Sequence, residues 1–379
     1  MEHIFSDRIH DVPRSFIREI LKASIAPDVI SFAGGLPNRE LFPLEGLRQA
    51  ADKVFVEQGA SCLQYSNSEG LIELRTIIAE RYKREQDIEV NPDNILITNG
   101  SQQALDLIAK VFVNDGDQVV VEEPGYLGAI QALSLYRPEF LPVAVNDEGM
   151  VCDQLERTLT ENRPKIMYTV PNFQNPAGIS YTEENRKEIA RIIGDKPILL
   201  IEDDPYGALR FKGTRLPSFY HFLPERTLML GSFSKMIVPG FRLWWVVAPD
   251  GIYEKLLVAK QASDLHSSNF TQAIILQFLQ DNNLDDHFLQ AMLDAIEEFF
   301  PAEITCTRPE GGMFLWGQLP EGISSLELFE KAMAQQVVFV PGEPFYTRAL
   351  KTSTFRLNFS CVDEQLAREG IKRRSTAIN

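Results

Sequence analysis

The chain is poor in the residues that build metal centres and disulfide frameworks. Its 379 residues include 4 Cys and 5 His. The cysteines are far apart and show no CxxC pairing, and neither an HExxH nor an HxH pair occurs. We therefore expect reduced thiols, no structural disulfide and no metal site.

Long hydrophobic runs and an excess of basic charge are also missing. No apolar run approaches the roughly 18 residues of a membrane span, and the first twenty residues mix both signs of charge, which argues against a secretory signal. The 37 Lys and Arg residues are outnumbered by 53 Asp and Glu residues, so the net charge is −16. Nucleic-acid backbones and anionic membranes would repel such a chain. We therefore expect a soluble, cytoplasmic protein that acts on small molecules.

What the chain does contain is a regular alternation of short apolar runs and helical patterns between about residues 95 and 250. The runs are rich in β-branched and aromatic residues, which is typical of strands covered on both faces. They occupy residues 95–98, 118–121, 166–170, 198–201, 227–230 and 243–247. Helical periodicity begins at Ser101, and Thr182 opens a second helical pattern. This alternation predicts an α/β domain with a mostly parallel sheet.

The two ends of the chain differ from this central part. Residues 1–45 hold one short helical pattern and the loop FAGGLP, and after about residue 270 helical patterns are followed by three short strand-like runs. Chains of this length usually divide into two domains. We predict a large domain over residues 46–270 and a smaller α+β domain formed by residues 1–45 and 271–379.

Polar residues collect directly after the predicted strands. In open α/β sheets, ligands bind beyond the carboxyl ends of the strands. The polar segments are NGSQQ at 99–103, EEPGY at 122–126, PNFQNPAG at 171–178, EDDPY at 202–206, GSFSK at 231–235 and PGFR at 239–242. Each segment alone is a weak signal. Together, in this order, they predict one composite site.

The side chains in these segments match the functional groups of one cofactor. A glycine turn before a helix, two serines and an arginine form an anion site suited to a phosphate. A buried Asp203 would hold a cationic ring nitrogen. Tyr206 and Asn175 can hydrogen-bond a phenolate oxygen, and Tyr126 offers a flat face to a ring. Lys235 can form an imine with an aldehyde. Phosphate, pyridinium, phenolate and aldehyde together describe pyridoxal 5'-phosphate (PLP).

Several segments are also recognisable as family motifs. SFSK at 232–235 with PGFR at 239–242, NFQNPAG at 172–178 and DDPY at 203–206 resemble the fold-type I, class I/II PLP-dependent aminotransferases over nearly the whole chain. FAGGLP at 32–37, YSNSEG at 65–70, GSQQALD at 100–106 and DLH at 264–266 are similar to the 2-aminoadipate/aromatic aminotransferase group. The resemblance implies a central, mostly parallel seven-stranded sheet with helices on both faces and a smaller α+β domain.

The resemblance implies a role for individual residues around the cofactor. Lys235 carries PLP, and Asp203 pairs with its ring nitrogen. Tyr206 and Asn175 hold the phenolate oxygen, and Tyr126 stacks on the ring. The residues implied at the phosphate are Ser101, Gln102, Ser232, Ser234 and Arg242. The catalytic residues implied in this way are Lys235, Asp203 and Tyr206.

Substrate binding and assembly are implied by the same resemblance. Arg356 takes the α-carboxylate of the substrate beside Asn175 and Gly35. Arg18 meets a distal carboxylate, such as that of 2-aminoadipate or glutamate, and swings aside for an aromatic side chain. Tyr65 reaches the phosphate of the partner subunit, so we expect a homodimer with shared active sites.

Simpler structural explanations exist for some of these residues. Ser101 could serve only as a helix cap, Asn175 as a turn residue and Tyr126 as part of the core, and Asp204 is expected to be the solvated neighbour of Asp203. The sequence also departs from the family pattern. Trp244 stands where a small residue is common, residues 285–292 are shorter than the expected helix, and residues 347–352 replace a glycine-rich loop.

The sequence is interpreted as a PLP-dependent transaminase. It would move the amino group of an L-amino acid (2-aminoadipate, an aromatic residue, glutamate or another bulky apolar donor) to a 2-oxo acid such as 2-oxoglutarate. Fold alone does not decide the chemistry, so a PLP-dependent lyase or decarboxylase stays open. A second alternative is a transcription regulator that fuses this fold to a DNA-binding domain. We expect the chain not to be such a regulator, because only some thirty residues precede FAGGLP and a DNA-binding domain needs a longer segment to fold.

Overall fold

A computed structural model describes residues 4–10, 12, 20, 29–282, 305–320, 322–348, 350–360 and 369, and three sheets organise it. The strands are β1 (Ile30–Ser31), β2 (Ile95–Thr98), β3 (Gln118–Glu123), β4 (Glu139–Asn146), β5 (Gly149–Met150), β6 (Ile166–Thr169), β7 (Leu199–Asp203), β8 (Thr227–Ser232), β9 (Trp244–Val247), β10 (Thr305–Cys306), β11 (Phe314–Gln318), β12 (Val337–Val338), β13 (Val340–Pro341) and β14 (Thr354–Asn358). The largest sheet has the order β2-β9-β8-β7-β6-β3-β4-β5.

The large sheet is mostly parallel, as predicted. Strands β8, β7, β6, β3 and β4 pair in parallel, whereas β9 lies antiparallel between β2 and β8. Seven strands, β2 to β4 and β6 to β9, form the body of the sheet, and in the described residues an eighth strand pairs with β4 at its edge. The additional strand, β5, is a two-residue return of the chain along β4. It forms because the Asn146 side chain accepts hydrogen bonds from the backbone N–H groups of Glu148 and Gly149, and this turn reverses the chain.

Each of the six apolar runs found in the sequence overlaps a strand of this sheet. The strand that the sequence pattern missed is β4, which lies near the edge of the sheet. Its central residues, FLPVAV, are apolar, but they include Pro142, and most of the strand is only half-buried. A proline within an apolar run argues against a central strand, so this run gave no clear strand signal.

Helices cover both faces of the large sheet. They are Leu44–Gln58, Ile72–Gln86, Ser101–Phe112, Leu127–Ser134, Cys152–Glu161, Glu183–Ile193, Asp250–Gln261 and Asn269–Asp281, with Asp7–His10 before the sheet and Ser325–Ala334 after it. Alternate strand residues face opposite helical layers: Leu96 packs in the same core as Leu107, whereas Ile97 packs with Leu47 and Ile78. Thr182 caps its helix as predicted, because its side chain accepts from Asn185 N.

The two smaller sheets share a third core. One is antiparallel, in the order β10-β11-β14-β13, and the other pairs β1 with β12. Their core joins Ile30 and Phe32, near the start of the chain, to Phe339 and Phe355, near its end. The helix Asn269–Asp281 instead packs with Leu47 and Ile97 in the core of the large sheet. The division into domains at residues 45 and 270 stays a prediction.

Some sequence-based expectations fall outside the described residues. One is the N-terminal helix that includes Arg18; of this helix only Ile20 is described, and it is buried. The other is the stretch of residues 285–292. Near the chain end, Arg348 forms an ion pair with Glu123 at 3.2 Å, and Thr352 bonds Thr354. No helix in the described residues is long and apolar enough to cross a membrane.

A buried arginine fixes the segment that follows β6. Arg186, on the helix Glu183–Ile193, has no exposed surface. Its guanidinium donates to the backbone oxygens of Tyr181, Pro217 and Pro171 at 2.9–3.1 Å and to Asn172 Oδ1 at 2.7 Å. Removing it would leave several buried acceptors without a donor, which is costly in a protein interior.

We expect Arg186→Met to lower the free energy of unfolding by about 3–5 kcal/mol, the usual cost of removing one partner from a buried charged network. Urea unfolding measures this change. The matched control is Arg191→Met on the same helix, because Arg191 is exposed and pairs with Glu188 and Glu156 on the surface. Equal losses for the two variants would contradict the role given to Arg186.

Candidate active site

The carboxyl ends of the parallel strands border a cavity of about 300 Å³. Eleven of the fourteen residues predicted for the site line it: Gly35, Ser101, Gln102, Tyr126, Asn175, Asp203, Tyr206, Ser234, Lys235, Arg242 and Arg356. These residues come from segments more than 300 positions apart in the sequence. The prediction of one composite site therefore matches the geometry.

Three predicted residues do not line the cavity. Ser232 lies behind it, where its hydroxyl accepts a hydrogen bond from Ser234 N at 2.8 Å. Tyr65 is 80% exposed and packs edge-on against His266, with ring centroids 5.7 Å apart. Arg18 lies outside the described residues.

Asp203 ends strand β7 as a buried carboxylate, only 1% exposed. Its Oδ2 accepts a hydrogen bond from the Tyr168 hydroxyl at 2.6 Å, whereas its buried Oδ1 has no partner within the described part of the chain. Burial raises the pKa of Asp203 to about 7, and the hydrogen bond from Tyr168 acts in the opposite direction. Asp204 is partly buried rather than solvated as expected; it accepts from Gly207 N at 2.7 Å and does not line the cavity.

Lys235 shares the cavity with Arg242 and Arg356. Its Nζ donates to the backbone oxygen of Gly35 at 2.6 Å. Burial and, to a smaller extent, the positive charges of the two arginines lower the pKa of Lys235 to about 8. A lysine with this pKa is partly neutral near physiological pH, and the neutral amine is the nucleophilic and basic form.

The start of the helix Ser101–Phe112 forms one end of the cavity. Gly100, with φ +94°, is its N-cap, so Ser101 is the first helical residue rather than the cap. Arg242 packs so closely over Gly100 that a Cβ there would overlap its guanidinium. A helix N-terminus beside an arginine favours an anion. The hydroxyl of Tyr126 is hydrogen-bonded by Ser101 and Gln102.

Asn175 connects the two halves of the site. Its Oδ1 accepts from Arg356 Nη1 at 2.8 Å, and its Nδ2 donates to the Tyr206 hydroxyl at 3.4 Å. Arg356 is 2% exposed, donates from Nη2 to the Ala33 oxygen at 2.6 Å and stacks on the ring of Phe314, 4.3 Å from its centroid. These contacts hold the guanidinium in one orientation.

The loop that carries Asn175 is fixed by a buried acid that the sequence analysis did not single out. Glu122 is 1% exposed and accepts from Tyr181 OH at 2.7 Å, Gln174 Nε2 at 2.9 Å and Val170 N at 2.8 Å. Burial raises its pKa to about 7. Tyr168 bonds Asp203, and Phe314 and Trp244 line the cavity, but each lies within an apolar strand pattern that gives no sign of a site residue. In the sequence, Trp244 stands out only by its departure from the family pattern.

Comparisons with known proteins identify the family of the chain. The family described as "Aminotransferase class I and II" matches residues 27–373. The chain is 42% identical to "Aromatic-amino-acid aminotransferase 1" of Thermococcus litoralis, over 100% of this chain and 94% of that protein. The chain belongs to the class I and II aminotransferases.

Solved structures agree with this assignment. The kynurenine aminotransferase of Pyrococcus horikoshii, in complex with PMP, has a TM-score of 0.92 at 40% identity and covers 100% of this chain and 97% of its own. The alpha-aminoadipate aminotransferase of Thermus thermophilus, complexed with N-(5'-phosphopyridoxyl)-L-leucine, has a TM-score of 0.90 at 39% identity, covering 99% and 97%.

This aminotransferase has the fold-type I architecture and uses PLP to move an amino group from an amino acid to a 2-oxo acid. The predictions of fold, enzyme class, cofactor and reaction are confirmed. These relatives are named as aminotransferases, which favours transamination over the lyase alternative. The cavity also fits PLP: Oδ1 of Asp203, which has no partner among the described residues, suits a protonated ring nitrogen, and the helix N-terminus with Arg242 suits a phosphate.

We expect covalent attachment of PLP to the cofactor-free protein to speed up with pH around a midpoint near 8, because the attacking amine must be neutral and burial depresses the pKa of Lys235. An ordinary lysine would give a midpoint of about 10.4. Stopped-flow absorbance measures the rate. Lys235→Ala should bind PLP only noncovalently, and covalent fixation by borohydride at another lysine would overturn the assignment.

Proposed function

We propose that Lys235, Asp203 and Arg356 are the working residues of this aminotransferase. The observation that carries the proposal is the buried Asp203 carboxylate on the wall of the cavity that Lys235 also lines, because its Oδ1 has no partner in the residues that the structure describes. A buried carboxylate without a cation is unfavourable. A cationic ring nitrogen at Oδ1 would supply the missing partner.

Bound PLP supplies an electrophilic carbon and a ring that accepts electrons. Lys235 would hold it through Nζ. In its neutral form the same amine would remove the α-proton of the amino acid as a general base and return it as a general acid. Asp203, when ionised, would keep the ring nitrogen protonated. Tyr206 and Asn175 would donate hydrogen bonds to the phenolate oxygen, and the Tyr126 ring would stack on the cofactor.

The charges on the cavity wall support this arrangement. Among the described lining residues, three cations (Lys235, Arg242 and Arg356) face one carboxylate, Asp203. A phosphate beside Arg242 and Ser101 and a substrate carboxylate beside Arg356 would balance the excess of positive charge, since charge-assisted hydrogen bonds are the strong ones. Gly35, next to Lys235, borders the same space.

Asp203→Asn should reduce kcat far more than it weakens PLP binding, because the ring nitrogen loses its counter-charge while the phosphate contacts remain. Steady-state kinetics and cofactor titration separate the two quantities. The matched control is Asp204→Asn, a neighbouring carboxylate that does not line the cavity. If Asp203→Asn turned over almost normally and Asp204→Asn lost turnover, the role assigned to Asp203 would belong to Asp204.

The donor is proposed to be an aromatic or bulky apolar amino acid. With Arg356 assigned to the α-carboxylate, the remaining described wall offers Leu36, Leu127, Gly128 and Gln131 to the donor side chain. None of these carries a charge. A relative named for aromatic amino acids and one complexed with a leucine derivative support this choice. An acidic donor such as 2-aminoadipate or glutamate would need Arg18, and 2-oxoglutarate is the proposed acceptor.

A half-reaction screen tests the donor class. The holoenzyme is mixed with one amino acid at a time and the loss of its cofactor absorbance is followed. In Arg18→Ala, 2-aminoadipate and glutamate should react more weakly by roughly one to two decades, since one charged hydrogen-bond partner contributes about 1.5–3 kcal/mol. Aromatic donors should be affected far less. Equal losses for both classes would give Arg18 a structural role.

A homodimer with shared active sites is proposed from an exposed apolar patch. Leu63 and Tyr65 are 65% and 80% exposed, and Leu265, beside the His266 that contacts Tyr65, is 47% exposed. Such patches mark interfaces, and a partner subunit placed here would receive the Tyr65 hydroxyl at its phosphate. Sedimentation of the holoenzyme measures the assembly. The cytoplasmic location stays a prediction.

A further inference from the structure

Trp244 lies between the two strand ends that surround the phosphate end of the cavity. It begins β9 and pairs with Thr98, the last residue of β2, and with Ser232, the last residue of β8. Its indole is 6% exposed and lines the cavity. The indole nitrogen Nε1 donates a hydrogen bond to Ser234 Oγ at 3.0 Å.

This hydrogen bond restricts what the Ser234 hydroxyl can do. A serine hydroxyl has one proton to donate and two lone pairs that accept. The indole N–H is a donor only, so it occupies a lone pair of Ser234 Oγ and leaves the hydroxyl proton available. Within the described residues, no protein acceptor is recorded for that proton, although Ser234 is only 3% exposed and lines the cavity.

The neighbouring serine is arranged in a similar way. Ser232 Oγ accepts from Ser234 N at 2.8 Å, which fixes the backbone of the loop from which the Ser234 side chain projects. Other groups of the protein, Ser232 and Trp244, therefore fix both the backbone and the hydroxyl oxygen of Ser234. The proton of the buried Ser234 hydroxyl is thus available to an acceptor at the end of the cavity that Arg242 and Ser101 also line.

We propose that Trp244 is a positioning residue for the phosphate of PLP: its indole N–H holds the Ser234 hydroxyl in the orientation that donates to a phosphate oxygen. The proposal rests on the proposed placement of the phosphate at this end of the cavity. Trp244 acts through Ser234 and does not itself bind the phosphate. Preorganised donors bind an anion more tightly because they lose less freedom on binding.

The chain provides a matched control in the next residue. Trp245 is similarly buried, and its Nε1 also donates one hydrogen bond at 3.0 Å, but to the Tyr82 hydroxyl. It packs against Phe233 on the opposite face of the sheet and does not line the cavity. Trp244→Phe and Trp245→Phe therefore remove equivalent groups from the two faces of one strand.

Three probes separate phosphate binding from general packing. Inorganic phosphate, PLP and pyridoxal, which lacks the phosphate, are each titrated into the cofactor-free full-length chain by calorimetry or absorbance. In Trp244→Phe we expect inorganic phosphate and PLP to bind about five- to tenfold more weakly, the loss of one modest hydrogen-bonding contribution. Pyridoxal should bind as in the unaltered protein. Trp245→Phe should leave the affinity for inorganic phosphate unchanged.

A double-variant cycle tests whether Trp244 acts through Ser234. Once Ser234→Ala has removed the hydroxyl, Trp244→Phe should cause no further loss of phosphate affinity. Additive losses would overturn the proposal, and so would an equal weakening of pyridoxal and PLP. If Ser234→Ala alone leaves phosphate and PLP binding unchanged, the placement of the phosphate is wrong as well. If Ser234→Ala weakens both and Trp244→Phe weakens neither, only the role of Trp244 fails.

The N–H group can also be removed without changing the shape of the side chain. If Trp244→Phe does not fold, as judged by urea unfolding, 3-benzothienylalanine at position 244 replaces the indole N–H by sulfur. The expected result is the same selective loss of phosphate and PLP affinity. Unchanged affinity for both probes would overturn the proposal.

Discussion

The buried carboxylate of Asp203 is the interaction on which the organisation of the site depends. One of its oxygens accepts from Tyr168, the other has no partner among the described residues, and the side chain is almost wholly buried. A charge in such a place is retained only when a cation faces it. In the proposed arrangement, the strand that ends in Asp203 therefore directs its last side chain at one part of the ligand, and the neighbouring strand ends would supply the groups that bind the rest.

Much of this site could be predicted from the sequence because its polar residues interrupt apolar runs. Asp203 and Lys235 come shortly after apolar runs and Arg242 directly precedes one, so their positions near the sheet edge are visible without a structure. The parallel connection of the strands then brings the segments together, since all carboxyl ends meet at one edge. Pro142 interrupts the apolar run of β4 and β5 has only two residues, which is why both strands were missed.

Site residues that lie inside the apolar runs could not be recognised from the sequence either, for a different reason. Tyr168 and Trp244 belong to apolar strand patterns and look like core residues. Successive side chains of a strand point to opposite faces, and the sequence does not reveal which face meets the cavity. Trp244 and Trp245 show this directly: the register with Thr98 and Ser232 places the first beside the ligand site, and its neighbour faces the helices behind the sheet.

The loop before Leu36 links the two cationic ends of the substrate site. The backbone oxygen of Ala33 accepts from Arg356, that of Gly34 accepts from Asn358, and that of Gly35 accepts from Lys235. The carbonyl groups of Ala33 and Gly34 thus hold two side chains of β14, and that of Gly35 holds one from the segment after β8. If Lys235 holds the cofactor as proposed, Gly35 would lose its donor, whereas the contacts of Ala33 and Gly34 do not depend on that amine. The loop would then remain anchored at Arg356 while its other end, beside Lys235, became available to the substrate. This explains why a short segment near the start of the chain, far from every sheet-end motif, belongs to the same site.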